Sequence, residues 1–319
     1  MKISVIIPVY NAQEFLTESV MSATDIDAVD EIILIEDGSN DESFNIAKDL
    51  ENELKKVVLI QHFDKGNHGA AATRNLGVEK AKNEWIAFLD ADDYYLPERF
   101  NKDIEIIEGD HKIDGVYSAV GTKFLDEKSK ADFTNKIKIA NSDHLTTIST
   151  EVLPKELFLY LIEGKGGYFC TDGVLVKKKL LLQVGCFDQN LRLHQDTQLW
   201  LKLAFSGKLV CGEIDNPVAV RVVHPNNRIT NRNLSSQTLY WDSVFNWFKN
   251  KALSKQEFVS LVIQYSFAYK GRYKIGYSKL KKLIIFKMNM IIILFKNPSM
   301  FRIIFVPVIF FKTFKRLLS

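Results

Sequence analysis

The sequence predicts an α/β protein built on a mostly parallel sheet flanked by helices, and three observations predict it. First, apolar runs of strand length alternate with segments of helical periodicity through the first hundred residues. Second, runs such as Ile3–Val9 are continuously apolar, as strands covered on both faces are. Third, one helical segment falls between successive strands, which is the layout of parallel crossovers.

The elements follow in order. After Ile3–Val9, the residues Phe15, Leu16, Ser19, Val20 and Ala23 stand at helical spacing. Residues 31–35 form a second strand. Ser39-Asn40-Asp41-Glu42 has capping-box spacing and opens a helix through about Leu50. Val57–Gln61 is the third strand, 70–81 a helix rich in small residues, and 85–89 the fourth strand. Residues 123–150 are polar and are expected to hold a long loop. A helix over 157–162, a flexible turn at 164–167 and a strand near 169–176 follow. Residues 196–204 are helical, with Leu199, Trp200 and Leu203 on one face. Two more helices are expected over 235–248 and 254–269, the second opened by Ser254-x-x-Glu257. The domain boundary is placed so that 1–225 form the α/β domain and 226–319 a helical C-terminal region.

Composition is that of a folded protein: 319 residues, 46% hydrophobic and 25% charged. The net charge of +3 hides an asymmetry. Residues 258–319 contain twelve Lys and Arg and no Asp or Glu, which leaves 30 basic against 39 acidic residues elsewhere. The apolar stretches 283–295 and 303–311 fall short of the ~18–20 residues that span a bilayer. Interleaved aromatic residues and one-signed charge favour attachment to an anionic membrane surface. Packing on the body or on a second copy in a homodimer is the other reading. Cys170, Cys186 and Cys211 have no metal-type spacing and are expected as reduced thiols. The N-terminus enters a strand at once, so no export signal is expected. The expected location is cytoplasmic, peripheral at the inner face of the cell membrane. No nucleic-acid partner is expected.

Polar clusters end three of the strands, where ligands of parallel sheets bind. Tyr10 follows the first strand and can lay its ring on a base. Asp37 ends the second and can accept an imino N–H or cap a helix. Gly38 lets the chain turn close to a ligand, and Ser39 caps the next helix. In Gly66-Asn67-His68-Gly69-Ala70-Ala71-Ala72-Thr73-Arg74-Asn75, small residues precede a helix N-terminus, and Arg74 can reach a phosphate or form a buried structural salt bridge. Asn75 is assigned a structural bond to a strand-end backbone group. His68 receives no role. Phe88-Leu89-Asp90-Ala91-Asp92-Asp93 delivers adjacent carboxylates, which repel unless a cation neutralises them. Asp92 is the better ligand, Asp90 is turned toward a ribose, and Asp93 orients its neighbours or caps the next turn. The oxygen ligands suit Mn²⁺ or Mg²⁺.

Taken together, Ser4-Val5-Ile6-Ile7-Pro8-Val9-Tyr10-Asn11, Glu36-Asp37-Gly38-Ser39-Asn40-Asp41, the 66–75 segment and the acidic run resemble family 2 glycosyltransferases of GT-A fold. The resemblance covers residues 1 to about 100 and resumes at Val184-Gly185-Cys186-Phe187-Asp188 and His194-Gln195-Asp196-Thr197-Gln198-Leu199-Trp200. It implies a bacterial, metal-dependent, inverting enzyme. Such an enzyme moves one hexosyl or N-acetylhexosaminyl group from a nucleotide sugar, a UDP-sugar being favoured, to a hydroxyl of a glycan or lipid-linked acceptor. It also implies a place in cell-surface polysaccharide biosynthesis. Pro8, Tyr10, Asp37, Arg74, Asp90 and Ala91 would bind the donor, Asp92 and His224 the metal, and Asp196 would be the catalytic base; the other readings are a structural His224 and Asp196 as the N-cap of its helix. Gln195 departs from the family's acidic pair, and Glu36 stands where many relatives have Asp. Single displacement needs one base for the acceptor hydroxyl. No second carboxylate stands out as the nucleophile of a retaining mechanism.

Two other functions compete. A sugar nucleotidyltransferase would need a Gly-rich phosphate loop and a downstream Lys after the first strand, and Pro8-Val9-Tyr10-Asn11 offers neither. A non-catalytic nucleotide-sugar-binding protein is hinted at only by Gln195.

Overall fold

The computed structural model describes residues 1–137, 152–165, 169–225, 227 and 234–270. It divides into two compact units, Met1–Phe158 with Gly166–Asn231 and Leu159–Lys165 with Arg232–Ser319. In chain order the strands are β1 (Ile3–Val9), β2 (Val29–Glu36), β3 (Val57–Gln61), β4 (Trp85–Phe88), β5 (Tyr94–Tyr95), β6 (Gly115–Tyr117), β7 (Val120–Phe124), β8 (Val174–Lys177), β9 (Leu209–Cys211) and β10 (Ala219–Val223). The helices are α1 (Leu16–Thr24), α2 (Ser43–Glu53), α3 (Ala70–Lys80), α4 (Asn101–Gly109), α5 (Glu127–Ile137), α6 (Pro154–Ile162), α7 (Lys178–Val184), α8 (Gln195–Ser206), α9 (Leu234–Phe248) and α10 (Lys255–Lys270).

The first unit holds a seven-stranded sheet in the order β3-β2-β1-β4-β8-β6-β9 and a three-stranded sheet in the order β5-β10-β7. Strands β1 to β4 pair in parallel, whereas β8 runs antiparallel to both β4 and β6. The expected mostly parallel sheet is therefore present. Its order reverses between β1 and β4, which opens a crevice at their carboxyl ends. The interior is made by the continuous apolar strands: Ile3, Val5, Ile7, Val29, Ile32, Leu34 and Ala87 are all buried in one cluster. Helix α3 carries Gly77 against Ile6 of β1, and a Cβ there would overlap the Ile6 side chain. The small residues of α3 thus let the helix lie close on the sheet.

Three local expectations change. The helix after β2 begins at Ser43, not behind Ser39. The Asp41 carboxylate accepts the Ser43 N–H (3.0 Å), while the Ser39 hydroxyl accepts the Asn11 N–H (3.1 Å). The polar stretch after β7 contains α5, capped by Asp126 accepting the Ser129 N–H at 2.8 Å. Among its described side chains the buried apolar one is Phe133, edge-on to Phe124, too little periodicity to read from sequence. The strand expected near 169–176 starts only at Val174, after a 3-10 turn over Thr171–Gly173. In the second unit the Ser254–Glu257 capping box forms as expected: the Ser254 N–H donates to Glu257 Oε2 (2.6 Å) and the Glu257 N–H to Ser254 Oγ (3.3 Å). Phe245 of α9 stacks on Tyr265 of α10. Among the described residues no helix is long and apolar enough to cross a membrane. The basic, apolar stretch from Lys279 lies outside the described residues.

Candidate active site

The crevice begins where β4 ends. Leu89 N–H donates to Ile6 O, the last bond to β1, and the chain then turns with Asp93 N–H on Asp90 O. Carboxylate oxygens of Asp90, Asp92 and Asp93 fall within 4.8 Å of one another. Asp92 is half-exposed, and its Oδ2 meets His224 Nε2 (3.0 Å) and the Asn227 side-chain amide (3.0 Å). The His224 ring stacks on Phe15, and its backbone N–H donates to Asn227 Oδ1. These contacts aim the imidazole at Asp92.

Asp93 is buried. Its Oδ1 accepts the Val222 N–H (2.8 Å), which ties the acidic turn to β10. Its buried Oδ2 receives no N–H or hydroxyl, and the negative charge of buried Asp172 acts on it. Burial, and next the negative charge of Asp172, push the Asp93 carboxyl well above the usual range. Burial and the charge of Asp90 raise Asp172 to about 6. Stacked negative charge with an orphaned buried oxygen, beside a half-exposed carboxylate and an imidazole, fits a hard divalent cation. Asp92 and His224 would hold it.

Arg74 is buried on α3, and its Nη2 donates to Asp90 Oδ1. Burial works against its charge, but the carboxylates of Asp90, then Asp196 and Asp172, hold the guanidinium protonated more firmly than usual. Its Cζ lies 5.5 Å from the Phe187 ring centroid, and its Nε makes no hydrogen bond. Asn75 next to it clamps the backbone of Phe187 from both sides (2.9 and 2.9 Å). The expected structural bond is there, made to the turn after α7 in place of a strand end.

Asp37 is buried at the end of β2. Its Oδ1 accepts the His68 N–H (2.7 Å) and its Oδ2 the Gly69 N–H (2.9 Å), so the carboxylate shapes the entry to α3. His62 Nε2 stands 3.5 Å from Oδ1, and the His62 and His68 rings stack 4.2 Å apart. Burial, and next the charge of His68, lower the His62 pKa. Gly38 has φ +72°, and a Cβ there would meet Asn67 N at 2.8 Å. The close approach that Gly38 permits is therefore to the 66–67 backbone. Glu36 Oε1 accepts the Ser39 N–H (2.5 Å), the closure of this turn.

The loops after β1 and β2 are stapled together. Asn40 N–H donates to Asn11 Oδ1, Ala12 N–H to Ser43 Oγ, Gln13 N–H to Asp41 Oδ2 and Glu42 N–H to Gln13 Oε1. Pro8 and Tyr10 are half-buried beside them, and Ala91 is buried in the acidic turn.

Asp196 is the second residue of α8, whose N-cap is His194. Asp196 is half-buried, and its Oδ1 accepts the Thr197 N–H (2.7 Å). The side chain is therefore not the helix cap. Sequence reasoning missed Asp172, Asn227 and Phe15. The first is an isolated acid in an irregular segment, and the others act only through tertiary contact with Asp92 and His224.

Fold and site together define a GT-A-like architecture. The model for "Glycosyl transferase family 2" matches residues 4–169, and the chain belongs to that family. An uncharacterized glycosyltransferase of Rickettsia bellii is 28% identical over 75% of this chain and 31% of its own length. One of Haemophilus influenzae is 38% identical over 35% of this chain and 44% of its own length. The chain thus spans less than half of these relatives. It covers 74% of one from Rickettsia typhi, 29% identical over 81% of this chain. Among solved structures, S. aureus TarS 1–349 in complex with UDP-GlcNAc superposes with a TM-score of 0.61, at 18% identity, over 85% of this chain and 72% of that one. That likeness is one of fold.

Proposed function

We propose that this chain is a metal-dependent inverting glycosyltransferase. It moves one sugar from a nucleotide-diphosphate sugar to a hydroxyl of a glycan or lipid-linked acceptor. The observation that carries the reading is the link from the acidic turn through Arg74 toward Asp196: a metal-type carboxylate cluster and a second half-exposed acid share one buried cation.

In this reading Tyr10, Pro8 and Asp37 hold the base. Arg74, Asp90 and Ala91 hold the ribose–phosphate end, and Asp92 with His224 binds Mn²⁺ or Mg²⁺. The metal, when bound, offsets charge on the departing diphosphate. Asp196 takes the proton of the acceptor hydroxyl. The acceptor oxygen then forms its bond to the anomeric carbon from the face opposite the diphosphate. The bond from that carbon to the phosphate oxygen breaks, and the configuration inverts. The solved likeness to a UDP-GlcNAc complex supports a UDP-sugar donor. Residues 1–225 carry this activity. The basic region after 258 holds the chain to an anionic inner membrane surface, where cell-surface polysaccharide precursors are built.

The test is a panel of nucleotide sugars with Mn²⁺, scored first by thermal shift and then by sugar transfer to hydroxyl acceptors. Transfer that disappears in folded Asp92→Asn and Asp196→Asn supports the assignment. Full activity in both overturns it. Pyrophosphate release from a nucleoside triphosphate would instead mark a nucleotidyltransferase.

A further inference from the structure

The geometry points to Asp172 as a positioning residue for the acidic turn: its carboxylate replaces a missing sheet partner and fixes the backbone from which Asp92 projects. The antiparallel pairing of β4 with β8 runs Trp85↔Lys177, Ile86↔Val176, Ala87↔Leu175. Continued past its last pair, the same register sets Asp90 opposite Asp172. Strand pairing has stopped there, because residues Thr171–Gly173 wind into a 3-10 turn. The other neighbour, β1, takes the Leu89 N–H, so the next N–H along the strand turns to the β8 side. The Asp90 N–H has therefore outrun the β8 ladder, and a part-buried N–H without a partner is costly. Asp172 Oδ1 accepts it at 2.9 Å.

The side chain that does this is itself held. Asp172 is fully buried, and its backbone carbonyl accepts Arg99 Nε at 2.9 Å. Arg99 Nη1 donates to Asp103 Oδ2 (2.8 Å), and the Ser118 hydroxyl donates to Asp103 Oδ1 (2.8 Å). Arg99 and Asp103 are each 1% exposed. The chain from Ser118 to Asp90 is thus a relay of buried hydrogen bonds with no water-facing member before the turn. A carboxylate is expensive to bury, and a backbone carbonyl of a longer β8 would serve the N–H equally well. The 3-10 turn gives up that carbonyl. In exchange the Asp172 charge also acts on Asp93, at the other end of the turn.

This inference rests on the reading of Asp92 as a metal ligand, and its test separates the two. Mn²⁺ binding to the full chain is measured by titration for wild type, Asp92→Asn, Asp172→Asn and Asp172→Leu. Amide hydrogen exchange is followed at Asp90. Asparagine keeps an oxygen acceptor, so Asp172→Asn is expected to bind Mn²⁺ within about twofold of wild type and to keep the Asp90 amide protected. Leucine fills similar space without an acceptor. Asp172→Leu is expected to lose about tenfold in affinity, the size typical of outer-shell metal-site changes, with faster exchange at Asp90. Wild-type affinity in folded Asp172→Leu overturns the inference, as does an Asn variant as weak as the Leu one. Should Asp172→Leu not fold, the exchange measurement decides: an unprotected Asp90 amide in wild type overturns the inference. Mn²⁺ binding that survives Asp92→Asn unchanged overturns the metal reading instead.

Discussion

His224 and Asp92 stand 132 residues apart in the chain and meet at 3.0 Å, imidazole Nε2 to carboxylate Oδ2. Stacking on Phe15 limits rotation of the ring, while Asn227 holds the His224 backbone and the Asp92 carboxylate. His224→Ala is therefore expected to weaken Mn²⁺ binding by about tenfold, with the fold intact. Calorimetric titration of Mn²⁺ into the variant checks this, and an unchanged dissociation constant removes His224 from the metal set.

Asp37 accepts two backbone N–H groups in a buried setting, one on each oxygen. Asp37→Asn offers only one acceptor oxygen and sets an NH₂ group against an N–H. It is expected to cost about 2 kcal/mol of stability, the scale of a hydrogen bond to a charged group. Urea denaturation measures the cost. Titration with UDP measures whether the base subsite is lost with it; stability and UDP affinity both equal to wild type would refute the assignment.

The paired acids Asp93 and Asp172 make stability depend on pH. Both bind protons more tightly folded than unfolded, where a carboxyl titrates near about 4. From about pH 4 to 6 and above, the native state carries the extra protons. This contribution to stability is full below about pH 4 and is lost as pH rises through 6. The metal-free protein is thus expected to melt at higher temperature at pH 5.5 than at pH 7.5, and Asp172→Asn to flatten the difference. Melting curves at both pH values decide it; a wild-type melting point that climbs toward pH 7.5 contradicts the raised carboxyls of Asp93 and Asp172.

Lys202 on α8 is buried, and its Nζ donates to the carbonyl of Cys186 at 2.5 Å. Burial lowers its pKa to about 8, against the pull of Asp188. The folded state gives up this proton before the unfolded chain does. Between pH 8 and about 10.5 folding therefore gains from the deprotonated amine, whereas below pH 8 it bears the cost of the charge. Wild type should gain stability relative to Lys202→Met as pH rises from 7 to 10. Chemical denaturation of both proteins across that range tests the slope, and parallel curves would mean the amine titrates normally.

Much of the first hundred residues was legible because buried parallel strands write themselves as unbroken apolar runs, and Ile3–Val9 and Val57–Gln61 fall where the sequence sets them. The Ser254–Glu257 box was legible because both partners lie within one turn. Ser39 shows the limit. Its spacing to Glu42 imitates a capping box, but its hydroxyl serves a residue 28 positions earlier. Helix α5 was hidden by its polar composition, with Phe133 packing edge-on to Phe124. Asp172 was hidden because its partner is a backbone N–H 82 residues away, and no local pattern announces the end of a ladder.

The stapled loops after β1 and β2 have a consequence for binding. Five hydrogen bonds from Asn11, Ala12, Gln13, Asn40 and Glu42 fix the two loops to each other before any ligand arrives. A molecule entering beside Tyr10 meets a wall that is already set, and little conformational entropy remains to be surrendered there on association. Affinity differences among ligands at that wall should therefore appear in how fast they leave rather than in how fast they dock.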